Sequence, residues 1–218
     1  MQLNSALECL KTPTGLNFGQ IALARLETWI TAPETEGVEW GQVIFCLFVR
    51  LTTKDGLYDW GEAFVLPYRE KAVAEIIHAL GRSASKLKSI SPWTFRDLAK
   101  QAATRHQSLE FSAAGSALEM ALWDILGKLL NARLCDLLGG NHNRAIPIYG
   151  NIWNTTQWDV ASLETRATDL VAEGYRAIKL HPMLNHTAQD AANCVNQVRA
   201  AIGGDIALLV DLDSQNNA

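Results

Sequence analysis

The chain has 218 residues and a mass of 24.0 kDa, and its 48% hydrophobic and 19% charged residues exclude a disordered chain and predict a buried core. Its net charge is −4 and its Lys and Arg residues are scattered, which argues against a nucleic-acid partner. No apolar stretch reaches the roughly 20 residues that span a bilayer, and residues 1–11 lack a signal-peptide pattern, so we expect a cytoplasmic protein without a membrane partner.

The first part of the chain predicts a β-meander followed by helices. Residues 1–18 show no sustained periodicity and are expected to form a loosely ordered extension. Alternating or β-branched patterns predict three strands, and the sequence Lys-Asp-Gly at residues 54–56 predicts a hairpin turn between the second and the third. The predicted strands are Ile21–Ile30, Val43–Leu51 and Leu57–Phe64. Helical patterns follow at about Arg69–Leu80, Thr94–Gln107 and Ser112–Leu130.

The longest predicted helix has one apolar face, which we expect to pack inward. The residues of that face are Leu118, Ala121, Leu122, Ile125 and Leu129. Two glycines, at positions 139 and 140, follow this region and can adopt the left-handed conformation that stops a helical turn. We therefore place a domain boundary there, with a first domain at 19–140 and a second at 141–218.

The second part of the chain alternates strictly between strands and helices. The predicted strands are Ala145–Tyr149, Ala177–His181 and Ile206–Asp211, and the helices between them are Asp159–Glu173 and Ala188–Ala201. Equivalent strand positions recur about every 30 residues, as expected for parallel strands joined by crossover helices. The pattern fits a doubly wound sheet or a (β/α)8 barrel. Neither strand-to-helix turn carries a glycine-rich phosphate loop, so no nucleotide cofactor is expected.

The four cysteines, Cys9, Cys46, Cys135 and Cys194, are widely separated in the sequence. No spacing typical of a metal-binding or redox motif joins any two of them. We expect reduced thiols that are mostly buried.

Ionisable residues close two otherwise apolar strands of the second part. Lys179 and His181 alternate onto one face at the end of the second strand, and Asp211 and Asp213 do the same at the end of the third. Function gathers at the carboxyl ends of parallel strands in both architectures. Burying such groups is costly unless they are paired or bind a metal. Two interpretations stay open: a structural ion pair between Lys179 and Asp211, or an active site.

Four segments resemble those of a known family, in the same order and spacing. They are GSALEMALWDILGKLLNARLCDLLGG at Gly115–Gly140, GLYDWGEA at Gly56–Ala63, GYRAIKLH at Gly174–His181 and LLVDLD at Leu208–Asp213. The ordered set, over about Ile21–Asp213, resembles the mandelate racemase and muconate lactonizing enzymes of the enolase superfamily. This resemblance implies an α/β chain in which an α+β capping domain precedes the first three βα units of an incomplete (β/α)8 barrel (TIM barrel).

The resemblance also implies a chemistry and assigns roles to residues. Members of the family remove the proton α to a carboxylate of a small molecule, with Mg²⁺ stabilising the enediolate. Asp211 matches the first metal ligand. His181 matches the base, and Lys179 matches the partner that contacts the substrate carboxylate and lowers the pKa of the base. Trp40 and Glu62 match capping-domain segments that close over the substrate, so they are candidate specificity contacts.

Two positions depart from the family pattern. Asp213 stands where the family usually has Asn, which adds a negative charge beside the metal position and makes this residue a further candidate for specificity. Asp59 replaces a customary Gly in the hairpin, where we expect only a cost in backbone conformation.

Three functions remain open under the resemblance. The first is an acid-sugar dehydratase, the second a racemase or epimerase of a 2-hydroxy acid, and the third a non-catalytic fragment that serves as a binding or oligomerisation module. A complete barrel needs about 250 residues and eight strands, whereas this sequence predicts three. We therefore expect a truncated chain that is inactive alone, binds Mg²⁺ weakly or not at all, and self-associates, as a homo-oligomer or through open sheet edges.

Overall fold

The computed structural model describes most of the chain in two compact units, Met1–Asn141 and His142–Ala218. The described residues are 21–31, 45–104, 108–140, 145–152, 160–182 and 187–212. The predicted architecture is confirmed: an antiparallel meander precedes helices, and a parallel sheet with crossover helices follows. The predicted extension at 1–18 lies outside the described residues. Within these ranges no helix is both long and apolar enough to cross a membrane.

The meander of the first unit consists of three antiparallel strands in sequence order. These are β1 (Leu23–Thr31), β2 (Cys46–Thr53) and β3 (Tyr58–Ala63). Every second residue of β2 and β3 is buried, as expected for a sheet with one face on a core. The predicted hairpin turn is present, and Gly56 adopts φ 87° there, a conformation that glycine tolerates without strain.

Four helices follow the meander. They are α1 (Glu70–Ser85), α2 (Pro92–Ala103), α3 (Leu109–Leu130) and the short α4 (Leu134–Leu137), which the sequence pattern did not predict. A reciprocal capping box between Ser91 and Thr94 defines the start of α2. The main core of this unit lies between the meander and the helices α1 and α3.

The inward face of α3 agrees with the prediction except at its last position. Leu118, Leu122 and Ile125 are fully buried, but Leu129 is 47% exposed, so the prediction for Leu129 is wrong. Leu126, four positions after Leu122 and therefore on the same side of the helix, is buried in its place. The core ends before the last helical turn.

The helix α3 ends at Leu130, as the helical pattern predicted, and the residue that stops it is Asn131. Asn131 adopts the left-handed conformation, φ 49° and ψ 43°, and its N–H donates to the carbonyls of Gly127 and Lys128. Gly139 and Gly140 have positive φ angles, but they follow α4. The positive φ expected of the two glycines is confirmed, and the short helix α4 lies between them and the end of α3.

The strand β3 and the helix α3 approach each other closely at one glycine. A Cβ atom built on Gly61 would lie 1.9 Å from the carbonyl oxygen of Ala117 in α3. Because the obstacle is backbone, no side-chain rotation can make room for a larger residue. Gly61 therefore sets the distance at which the sheet packs on this helix.

The second unit is a three-stranded parallel sheet covered by two helices. Its elements in chain order are β4 (Gly150–Ile152), α5 (Val160–Ala172), β5 (Ala177–Leu180), α6 (Ala188–Ile202) and β6 (Ala207–Val210). The strand order is β4, β5, β6. A second hydrophobic core fills the space between one sheet face and the two helices.

The first predicted strand of this unit is misplaced. Residues 145–149 contain no strand, and pairing with β5 starts only at Gly150, which lies opposite Ile178. The apolar alternation that suggested a strand consists of Ile146 and Ile148, which are 78% and 68% exposed. Pro147 between them lacks an N–H for a sheet ladder. The predicted strand therefore starts five residues before the observed one, at Ala145 instead of Gly150.

The prediction that most cysteines are buried is also wrong for the part of the chain that the structure describes. Cys194 is buried, but Cys46 is half-buried and Cys135 is exposed; all three are free thiols. Cys9 lies outside the described residues. Burial raises the pKa of the Cys194 thiol and, with a hydrogen bond to Glu62, that of Cys46, so both stay protonated near neutral pH.

Candidate active site

The strand β5 separates a buried face from a face that carries ionisable groups. Ile178 and Leu180 are 0% and 1% exposed and belong to the core formed with α5 and α6. Lys179 alternates to the opposite face and is partly exposed. His181 follows the strand directly and is 8% exposed. A lysine ammonium and a histidine imidazole therefore lie at the carboxyl end of this strand.

Asp211 is held beside these groups by the neighbouring strand. Its backbone N–H donates to the carbonyl of Leu180 at 2.9 Å, which extends the β5–β6 ladder by one residue beyond β6. Its carboxylate oxygen Oδ2 lies 2.7 Å from Nζ of Lys179, and the two side chains are 31% and 27% exposed. The structure thus brings together Lys179 and Asp211, as both interpretations of the sequence require.

The Lys179 ammonium has a second neighbour, the aromatic ring of Tyr149. Nζ lies 6.0 Å from the ring centroid, at the outer limit of a cation–π contact. The hydrogen bond to Asp211 raises the pKa of Lys179 above its ordinary value, and burial acts in the opposite direction. Lys179 is therefore a fixed positive charge at neutral pH.

One residue on this face was missed by the sequence reasoning. Asn151 in β4 lies opposite Lys179 in the register of the parallel sheet, so its amide is on the same face, and it is exposed. It was missed because the first strand was placed too early, which left Asn151 in a loop. Gly150 is the signal that was available: its missing side chain admits Leu170 of α5, as a strand packed on a crossover helix requires.

A divalent metal would find one carboxylate here. Asp211 offers the hard oxygen that Mg²⁺ prefers, but among the described residues no group of three or more His, Cys, Asp or Glu side chains is arranged to hold a metal ion. The residues that the structure describes therefore fit one ligand of a Mg²⁺ site and do not fit a complete one.

The remaining predicted site residues lie elsewhere or outside the described part of the chain. Glu62 is an exposed residue of β3 in the first unit and lines a groove of about 390 Å³ together with Phe48, Trp60, Met120 and Trp123, among others. Trp40 and Asp213 fall outside the described residues. Their roles as specificity contacts, like that of Glu62, stay predictions.

The backbone cost that the sequence predicted at Asp59 is absent from the structure. Asp59 lies in the regular strand β3, and it is absent from the described residues with positive φ, so the replacement of a customary glycine strains no backbone there. Its side chain is instead buried and pairs with Lys128 of α3, with 2.7 Å between Oδ2 and Nζ. Burial and the charge of Asp59 raise the pKa of nearby Asp124, and Lys128 partly opposes that rise.

The combination of an N-terminal meander, helices and a parallel sheet with ionisable strand ends matches a known family. The model of the mandelate racemase / muconate lactonizing enzyme N-terminal domain matches residues 28–139, just over half of the chain. The chain belongs to this family, as the resemblance of its motifs had indicated.

Curated relatives extend the similarity into the second unit. The chain is 28% identical over 215 residues to a D-gluconate dehydratase of Thermoproteus tenax, covering 93% of this chain and 42% of that protein. It is also 28% identical over 191 residues to a D-gluconate/D-galactonate dehydratase of Picrophilus torridus, covering 83% of this chain and 47% of that protein. The chain spans less than half the length of these relatives.

Solved structures agree on the fold. An enolase from the environmental genome shotgun sequencing of the Sargasso Sea superposes with a TM-score of 0.76 at 33% identity, covering 88% of this chain and 51% of that one. A mandelate racemase/muconate lactonizing enzyme from Jannaschia sp. CCS1 gives a TM-score of 0.72 at 26% identity, with 89% and 55% covered.

Proposed function

We propose that the chain carries part of the active site of an acid-sugar dehydratase. The observation that carries the proposal is the ion pair of Lys179 and Asp211 at the carboxyl ends of adjacent parallel strands, where His181 is the residue that directly follows β5. The names of the relatives support the class of reaction and a small-molecule acid as substrate. His181 is the base, Lys179 contacts the substrate carboxylate, and Asp211 is one metal ligand.

The reaction follows from the charges at this strand end. The proton on the carbon next to a carboxylate is weakly acidic, because its removal places more negative charge on an anion. A fixed ammonium at Lys179 stabilises that charge, while the imidazole of His181 takes the proton. The imidazolium of His181 returns this proton to the hydroxyl on the next carbon, whose C–O bond breaks so that water leaves, and the resulting enol becomes a 2-oxo acid.

Mg²⁺ belongs to the proposal for the family reaction, where the bound ion neutralises the developing negative charge on the substrate. Because the described residues supply one suitable carboxylate, we propose that this chain alone binds Mg²⁺ weakly or not at all and does not turn over. Isothermal titration with Mg²⁺ measures this directly. Tight stoichiometric binding that Asp211→Asn abolishes would contradict it.

The assignment of Lys179 and His181 is tested by binding to this chain. We expect D-gluconate to shift the His181 ring resonances in NMR spectra, and D-glucitol, which has the same hydroxylated chain without the carboxylate, to leave them in place. Lys179→Met should abolish the shift and Lys179→Arg should retain it. Equal shifts with both sugars, or a shift that Lys179→Met leaves intact, would remove Lys179 from the substrate site.

Because we propose that this chain alone does not turn over, the reaction itself is followed with the chain extended by any sequence that its gene encodes beyond Ala218, incubated with D-gluconate and Mg²⁺ in D₂O. Formation of a 2-oxo acid supports dehydration, whereas a change of configuration at C2 without loss of water supports the racemase or epimerase alternative. Sequencing the DNA beyond the codon for Ala218 complements this assay, because carboxylates at further strand ends would supply the missing metal ligands. No product and no such carboxylates would favour the binding-module alternative.

A further inference from the structure

The structure joins two side chains that the proposed reaction would use separately. In that reaction Lys179 contacts the substrate carboxylate, whereas Asp211 is a metal ligand. In the structure Nζ of Lys179 lies 2.7 Å from Oδ2 of Asp211, and both side chains remain partly exposed. An ammonium that already neutralises one carboxylate attracts a second carboxylate less strongly. The pair therefore opposes the contact that the substrate needs.

The backbone keeps this carboxylate beside the ammonium. The N–H of Asp211 donates to the carbonyl of Leu180 at 2.9 Å, so Asp211 continues the ladder between two hydrogen-bonded parallel strands. Lys179 is itself a residue of β5. Because both residues are tethered to neighbouring strands, the carboxylate of Asp211 is present at a high effective concentration, which a free acid must exceed.

Tyr149 is a neighbour of a different kind. Nζ of Lys179 lies 6.0 Å from the centroid of its ring. An aromatic ring attracts an ammonium through its quadrupole and leaves the positive charge unneutralised. Loss of the carboxylate of Asp211 is therefore expected to leave the ammonium at the strand end, with its charge available to another anion.

We propose that the contact of Asp211 with Lys179 is autoinhibitory, because Asp211 competes with the substrate carboxylate for the ammonium. This inference rests on the proposed function of Lys179. The apparent affinity for an acid is lowered in proportion to the fraction of molecules in which Lys179 is available. For a partly exposed pair we expect the loss of affinity to be about threefold to tenfold. The site thus binds acids weakly until Asp211 has another positive partner.

The test compares dissociation constants for D-gluconate in metal-free buffer with EDTA, measured from the His181 ring resonances in NMR titrations. Asp211→Asn keeps the size of the side chain and removes its charge, so its dissociation constant should be about threefold to tenfold lower than that of the unaltered chain. Asp211→Ser is a second neutral variant and should show the same gain. Asp211→Glu retains a carboxylate and should stay within about twofold of the unaltered chain. D-Glucitol, which has no carboxylate, should gain nothing.

Two controls separate competition for Lys179 from a general effect of charge. Asp205→Asn removes the same charge from an exposed residue that precedes β6, at the amino end of the strand, and should leave the dissociation constant unchanged. Lys179→Met combined with Asp211→Asn should bind as weakly as Lys179→Met alone, because there is no ammonium to release.

The inference and the proposed function fail in different ways. Binding of D-gluconate that requires Lys179 but is equally strong in Asp211→Asn and the unaltered chain overturns the autoinhibitory contact alone. So does an equal gain in Asp205→Asn, or a gain that survives in the double variant. If D-gluconate binds neither the unaltered chain nor Asp211→Asn, or binds in a way that Lys179→Met leaves intact, the inference and the proposed role of Lys179 are both wrong.

Discussion

The two units of this chain use their sheets in opposite ways. In the first unit the inner face of the meander is sealed by helices, and residues such as Leu47 and Val49 are 0% exposed. In the second unit, α5 and α6 cover one sheet face, while Leu209 and Val210 of β6 remain 40% exposed. Tight packing characterises the first unit, whereas in the second the groups proposed for chemistry lie on the face that its helices leave open.

The largest expected effect tests how tightly the first unit is packed. Gly61→Ala places a methyl group against the backbone of Ala117, which no rotamer relieves, and should cost about 4 kcal/mol or more. Urea unfolding followed by circular dichroism measures this cost. Gly115→Ala is the matched control in α3, because its added Cβ meets nothing within 4 Å, and it should stabilise the unit by about 0.5 to 1 kcal/mol. Similar midpoints for the two variants would refute the close approach.

The corresponding glycine of the second unit should be more tolerant. In Gly150→Ala the new methyl group would lie 2.7 Å from Cδ1 of Leu170, a side chain that can move, so we expect a cost of about 1 to 3 kcal/mol. Hydrogen exchange of β4 and β5 amides reports it. The cost should shrink in the background of Leu170→Ala, which removes the obstacle. A cost as large as that of Gly61→Ala would show that the second unit is packed as rigidly as the first.

A smaller effect concerns the ion pair inside the first unit. Lys128→Met leaves the buried carboxylate of Asp59 without its cation and should cost about 1 kcal/mol, since Lys128 itself is half exposed. The hydrogen bond to Asp59 raises the pKa of Lys128 above 10.5. The stabilisation is therefore complete below pH 10.5 and is lost as the pH rises through the higher folded-state pKa.

Thermal unfolding at pH 7 and at pH 11 checks this dependence. Lys128→Arg keeps the charge and should retain most of the stability at both values. An equal loss in the methionine variant at both pH values would mean that packing of the Lys128 side chain, not its charge, is responsible.

The smallest effect has the opposite sign. The pKa of Asp124 is raised by burial and by Asp59, so the folded state binds this proton more tightly than the unfolded state does. Stability from this group is therefore present at low pH and declines as the pH rises above 3.8. At pH 7, Asp124→Asn should raise the free energy of unfolding by less than about 0.5 kcal/mol and so raise the melting temperature slightly. Near pH 3 the substitution should have no effect. A lower melting temperature at pH 7 would show that attraction to Lys128 dominates.

How far the sequence predicted this structure depends on the range of the interactions involved. Local periodicity identified the longer elements in both units, and alternation along two strands correctly anticipated that Lys179 and Asp211 lie together. Periodicity failed where hydrogen bonding between strands determines the position of a strand. The alternation of Ile146 and Ile148 resembles a strand, although pairing with β5 begins only at Gly150. The four-residue helix α4 is too short to show a period.

Contacts between distant residues left no trace in the sequence. Asp59 and Lys128 are far apart in the chain, and nothing in the spacing of either marks them as partners. Asn151 became a candidate only when the register placed it opposite Lys179. The same holds for Arg50, since strands of uncertain register do not reveal which aromatic rings surround it.

The Lys179–Asp211 pair also bears on how the second sheet finds its alignment. If β6 slipped by one residue against β5, Asp211 would turn toward the apolar side packed on the helices, and Lys179 would lose its carboxylate partner. Such a misaligned sheet would bury the carboxylate of Asp211 and leave the ammonium of Lys179 without this partner. The residues proposed for catalysis thus disfavour the wrong strand register. Replacing both with apolar residues is expected to let β6 populate shifted registers, even if the replacement raises the free energy of unfolding.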